Sequence, residues 1–148
     1  MNEPWIYRIR EVVEIKDGDT YILVVEKEEP YDFGFHVKID PEARINCRLL
    51  GWDTPEKSKG SAFERGKARE AEQQAAAYFG AVADSLWVRT EKDPADIYDN
   101  FGRWLGDIWT EDDAGNVLHL GQYLANLKLA TPWPIRWRDQ YDIPSRTS

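Results

Sequence analysis

The chain is poor in the residues that staple small proteins together. Its 148 residues include a single cysteine, Cys47, so no internal disulfide can form and a reducing compartment is the natural setting. Cys47 lies in an apolar-rich segment and is expected to be a buried, inert thiol. The two histidines, His36 and His119, stand far from each other and from Cys47, which argues against a zinc site and leaves them surface or packing roles. No stretch approaches the ~20 apolar residues of a membrane span, and the opening "MNEPWIYRIR" lacks the apolar core of a signal peptide. A soluble, cytoplasmic protein with no membrane partner is expected, with a processed secreted form as the alternative. Repeats and domain linkers are also lacking, so the length fits one domain over 1–148, with a core able to stand without staples.

Positive charge is scarce as well. Nineteen Lys and Arg face 27 Asp and Glu, for a net charge of −8, and phosphate binding normally calls for a basic footprint. The distribution softens that objection. Residues 44–69 carry seven basic and three acidic side chains, whereas residues 1–30 carry four basic and eight acidic ones. Local charge therefore favours an anionic ligand around the middle of the chain.

What is present reads as a globular α+β pattern, 42% hydrophobic and 13% aromatic. "IYRIREVVEI" (6–15) alternates like a half-exposed strand, and "TYILVVEK" (20–27) returns after "KDGDT", where Asp-Gly signals a hairpin and glycine supplies positive φ. Residues 28–43 carry two prolines and a glycine and read as a long loop with a short extended piece at 35–39. "ARINCRLLGW" (43–52) is a third strand, and "KSKGSAFER" (57–65) a polar connection. Gly66 to Ser85 is Ala- and Glu-rich and predicts a helix, with Ala68, Ala71, Ala75, Tyr78, Phe79 and Val82 on its apolar face. "SLWVRTE" (85–91) and "FGRWLGDIWT" (101–110) are the fourth and fifth strands, and the turn "EDDAGN" closes the latter. A second helix falls at 119–130, and the proline-rich tail from 131 is expected to wrap the surface as coil. Three strands, a helix, two strands and a helix fit a five-stranded OB-fold β-barrel with two to three helices, an architecture that commonly binds oligonucleotides.

The chemistry concentrates in three segments. In "RLLGWDTPE" (48–56) a cation and two carboxylates bracket an apolar run. Asp17 and Asp19 flank the hairpin turn, and each taken alone reads as an ordinary turn residue. Asp19 gains weight when Asp53 is set beside it, since two carboxylates with carbonyls and water suit Ca²⁺. Pro55 biases Thr54 to an extended conformation, leaving the Thr54 carbonyl free as a further ligand. Strand alternation places Arg48 and Asp53 on opposite faces, so a shared pocket requires a distortion between Gly51 and Asp53. Arg103, after Gly102, would project over the barrel surface; alone it reads as a surface arginine paired with Asp99 or Asp107. Together the segments suit phosphodiester hydrolysis, in which cations clamp the phosphate and a carboxylate activates water.

"DGDT" on a hairpin, "RLLGWDTPE" on the third strand and "DNFGRW" entering the fifth resemble the staphylococcal (thermonuclease-type) nuclease family, in order from about residue 6 to residue 131. The resemblance implies a monomeric, Ca²⁺-dependent endonuclease on an OB barrel, cutting DNA and RNA to leave 3′-phosphate ends. By the same likeness, Asp19, Asp53 and the Thr54 carbonyl would hold the metal. Arg48 and Arg103 would stabilise the phosphorane-like transition state, and Glu56 would orient or deprotonate the attacking water. Phe101, Asn100 and Lys128 depart from the family's usual tyrosine, lysine and glycine, and the tail 132–148 matches nothing in it. There Trp133 and Trp137 pack, or stack on a base. The alternative is a relative of the same fold that no longer cuts and serves as a nucleic-acid- or protein-binding module; the complete set of charged residues favours the enzyme.

Overall fold

The computed structural model describes residues 6–26, 31–32, 38–39, 42–58, 60–81, 85–92 and 103–142. Strands β1 (Ile6–Asp17) and β2 (Thr20–Glu26) form the expected hairpin, with Asp17 opposite Thr20 across a two-residue turn. Gly18 in that turn lies outside the left-handed region; what it supplies is space. A Cβ there would sit 2.8 Å from the Cβ of Ala71.

Two short strands, β3 (Tyr31–Asp32) and β4 (Lys38–Ile39), pair with each other inside the stretch expected to be loop, and residues 33–37 between them, with His36, lie outside the described residues. Strand β5 (Glu42–Leu49) lies antiparallel to β2, and β7 (Leu86–Lys92) antiparallel to β1. Strand β8 (Arg103–Glu111) pairs antiparallel with β7 and parallel with β5, from Asn46 opposite Arg103 to Leu49 opposite Gly106. The order β5-β2-β1-β7-β8 thus returns to β5 and closes a five-stranded mixed barrel, α+β and OB-like. Strand β9 (Val117–His119), which periodicity did not single out, extends it from β8.

Alternation fills the barrel. Tyr21, Leu23 and Val25 of β2 point inward, as do Cys47 and Leu49 of β5, Val88 of β7 and Ile108 of β8. Cys47 is fully buried, and burial pushes its thiol up to about 12, so it is inert as expected. Gly106 makes room for it, because a Cβ at 106 would collide with the Cys47 sulfur.

Helix α1 (Ala62–Ala81) begins four residues earlier than its composition suggests. The cause is Ser61, whose Oγ accepts the Glu64 N–H at 3.0 Å and caps the first turn, so that Gly66 falls inside the helix. Its Ala68, Ala71, Ala75, Tyr78 and Phe79 are buried, and the small alanines let the helix lie close against β1 and the hairpin turn. Helix α2 (Leu120–Asn126) is shorter than expected and buries Leu120 and Leu124. Among the described residues no helix is long and apolar enough to cross a membrane.

The tail is where expectation fails. Residues 132–148 were expected to be irregular surface coil, but Thr131–Pro132 form β10 and Trp137–Tyr141 form α3. Trp137 is 1% exposed, its indole N–H donates to the Lys128 carbonyl at 2.9 Å, and its ring stacks on Phe63. Packing is the Trp137 role, whereas Trp133 is 55% exposed.

Candidate active site

One rim of the barrel gathers the charged residues. The β2–β5 register sets Thr20 opposite Arg48, and the Leu49 N–H donates to the Asp19 carbonyl at 2.8 Å, locking the hairpin turn to the end of β5. Arg48 Nε then lies 3.7 Å from Asp19 Oδ2, while Asp19 Oδ1 accepts the Thr20 hydroxyl at 3.0 Å. Both side chains are partly exposed, so the pair can meet a ligand from solvent.

Beyond Arg48 the strand breaks as alternation required. Leu50 and Gly51 make a turn, with Gly51 at φ 81, where a side chain would be strained. The chain resumes as β6 (Trp52–Asp53), paired with β10 through Asp53 and Thr131. Trp52 packs on Gly121, at which a Cβ would strike the indole. The break does not place Asp53 against Arg48: among the described residues no ion pair joins them, and Asp53 Oδ2 accepts the Trp137 N–H at 2.7 Å. Asp53 is therefore engaged by the first turn of α3, and its other carboxylate oxygen makes no hydrogen bond among the described residues.

Thr54 is buried, and it meets the hairpin. A Cβ on Gly18 would lie 3.5 Å from Thr54 Oγ1, so the neighbours of Asp19 and Asp53 in sequence lie close to each other. Glu56 is exposed, and its backbone N–H donates to Glu64 Oε2 at 2.7 Å. Arg103 opens β8 beside Asn46, two residues before Arg48 along β5; its side chain lies outside the described residues, as do Asp99, Asn100 and Phe101. Asp107, the other acid considered for Arg103, accepts or shares a proton with His119 Nδ1 at 2.8 Å.

Composition-level reasoning missed three members of the cluster. Asp17, dismissed as a turn residue, has its carboxyl raised from 3.8 to about 6, first by burial and then by the charge of Asp19, with Glu56 and Glu72 adding to it and Lys57 opposing. Lys57 bridges Glu72 at 2.9 Å and donates to the Lys16 carbonyl at 2.7 Å, tying the segment after Glu56 to α1 and to β1. The signal available in the sequence was the hairpin itself, since a two-residue turn brings residues 17 and 20 together and the acids on it with them.

The donors at this rim are oxygen. That chemistry fits a hard divalent cation such as Ca²⁺, which accepts carboxylates, carbonyls and water in loose geometry. Among the described residues no three His, Cys, Asp or Glu side chains converge on one point, so Asp19, Asp53 and the Thr54 carbonyl would need water to complete a shell. Comparison with known proteins gives no matching family model and no matching curated relative.

Proposed function

We propose that this chain is a Ca²⁺-dependent endonuclease of the staphylococcal nuclease type, hydrolysing phosphodiester bonds of DNA and RNA to leave 3′-phosphate ends. The observation that carries the reading is the Arg48–Asp19 pair at the rim of a closed OB-like barrel, a fixed cation beside a carboxylate at 3.7 Å. An arginine presents a rigid fork of donors that suits two phosphate oxygens, and its preorganisation favours the charge that builds up as water attacks phosphorus. Arg103, on the neighbouring strand, is assigned the second phosphate contact.

Asp19, Asp53 and the Thr54 carbonyl would hold the metal, which when bound neutralises phosphate charge and makes phosphorus more electrophilic. Glu56 is exposed and borne on a held backbone, which suits a group that orients the attacking water and takes its proton. The water oxygen bonds to phosphorus, the 5′ oxygen leaves with a proton from solvent, and the phosphate stays on the 3′ side. The net charge of −8 bears on substrate affinity, since the local basic residues must outweigh it at the rim.

The test is a gel assay of purified protein on single-stranded DNA and RNA with Ca²⁺, Mg²⁺ or EDTA, followed by end-group analysis. Cleavage with Ca²⁺, abolished by EDTA and leaving 3′-phosphates, is expected. No cleavage with any metal overturns the proposal in favour of a binding module.

A further inference from the structure

Glu64 is the one charged side chain buried among the described residues, at 2% exposure. A buried carboxylate is costly unless its partners compensate it, so its partners point to its role. In an ordinary capping box the third-position glutamate returns to the N–H of its own cap residue. Here it reaches eight residues back, and Oε2 accepts the Glu56 N–H at 2.7 Å. Oε1 faces Arg138 Nε at 3.2 Å. Gly60 closes over the same side chain, since a Cβ at 60 would overlap it, and Ser61 Oγ receives the Glu64 N–H while donating to Asp142. Glu56, Gly60 and Ser61 therefore all meet the one Glu64 side chain or its backbone, and Arg138 and Asp142 hold Glu64 and Ser61 from the tail.

We propose that Glu64, fixed by Arg138, is a positioning residue for Glu56: it pins the Glu56 backbone so that the Glu56 carboxylate stays at the rim. The catalytic consequence rests on the nuclease reading above; the positioning itself does not. Arg138 acts at one remove, through the ion pair, and the bond from Trp137 N–H to Asp53 Oδ2 belongs to the same clamp. Residues 137 and 138 thus reach the two sides of the 53–56 segment, one through Asp53 directly and the other through Glu64.

The test compares Glu64→Ala, Glu64→Gln, Arg138→Ala and Arg138→Lys by amide hydrogen exchange at Glu56 and by kcat and KM on single-stranded DNA with Ca²⁺. The amides of Val88 and Ile108, in core strands, report global opening. Glu64→Ala should speed exchange at Glu56 by about tenfold beyond any change at Val88 and Ile108, the loss expected for one buried hydrogen bond. It should lower kcat by about tenfold while KM stays within about twofold, the signature of a lost transition-state arrangement. Glu64→Gln keeps an acceptor and should retain much of the Glu56 protection. Arg138→Ala, which leaves Glu64 in place, should move both readouts in the same direction by less, and Arg138→Lys should restore them. Exchange at Glu56 that is unchanged in Glu64→Ala, or that rises only in step with Val88 and Ile108, overturns the proposal. A wild-type protein that cuts nothing, yet shows the Glu56-specific exchange change, sinks the nuclease reading and leaves the clamp standing.

Discussion

Replacing Trp137 by alanine probes the largest difference between expectation and structure. The side chain is 1% exposed, its ring stacks on Phe63 with centroids 6.1 Å apart and meets Tyr141 tilted at 5.6 Å, and its indole N–H satisfies the Lys128 carbonyl. Removing a buried tryptophan ring costs ~3–5 kcal/mol through lost transfer free energy and the cavity left behind. The Lys128 carbonyl, left without its donor, adds ~1 kcal/mol. A total of ~4–6 kcal/mol is a large share of the ~5–15 kcal/mol that holds an ordinary domain together. Urea unfolding followed by far-UV circular dichroism measures it, with the m-value confirming that the same surface is exposed in wild type and variant. Trp137→Phe separates the terms: it keeps most of the ring and loses the indole donor, so it should cost ~1–2 kcal/mol. A Trp137→Ala cost below ~1 kcal/mol would refute the packing argument and return the tail to the surface.

Lys128 occupies the left-handed position after α2, at φ 62, with the Leu129 N–H donating to the Leu124 carbonyl at 2.9 Å and the Lys128 N–H to the Ala125 carbonyl at 3.0 Å. Lys128→Gly should therefore raise stability by about 1 kcal/mol; a fall in melting temperature would contradict it. Asp17, raised to about 6, holds its proton more tightly when folded than at its ordinary 3.8, so its contribution is full below that value and lost as pH rises through 6. In EDTA, stability should decline over that window, with a ceiling near ~3 kcal/mol that solvent screening at a half-buried carboxyl reduces to ~1–2. Asp17→Asn should flatten that part of the pH–stability curve, and an unchanged curve would show that burial and the nearby Asp19 do not raise this carboxyl in solution. Arg48→Ala should lower kcat/KM by ~10²–10³, the loss of one preorganised anion-binding donor, and Arg48→Lys should not restore it because an ammonium lacks the fork; normal turnover in Arg48→Ala would remove it from the site.

The barrel was legible because its strands announce themselves locally. Tyr21 to Val25 form a continuous apolar run rich in aromatic and β-branched residues, and Asp-Gly marks the turn before it. The bend at Gly51 was legible because a glycine inside a strand pattern marks a break, but the bend does not bring Asp53 to Arg48, whose ion pair is with Asp19. Gly18 was misjudged. Its neighbours suggested a φ requirement, whereas its true constraint is Ala71, a residue on a helix that no local window contains. The start of α1 was misplaced although Ser61 and Glu64 stand at capping-box spacing; the glycines at 60 and 66 masked the cap.

The site itself was readable as a set of residue types but not as a geometry. Strings such as "RLLGWDTPE" name a cation and two carboxylates, but the orientation of each depends on what lies against it. Asp53 is oriented by the amide of Trp137, and the Glu56 backbone by a carboxylate that stays buried because Arg138 meets it. Both partners come from the segment whose prolines suggested coil. Prolines there end and begin short elements rather than prevent them: Pro132 closes β10, and the Thr131 hydroxyl donates to the Ile135 carbonyl at 2.7 Å across the following turn, delivering Trp137 to α3. A chain with the same three motifs and a different tail would keep the charges and lose the contacts that aim them. The motif and the tail therefore make separable contributions, the first supplying the charged groups and the second holding them.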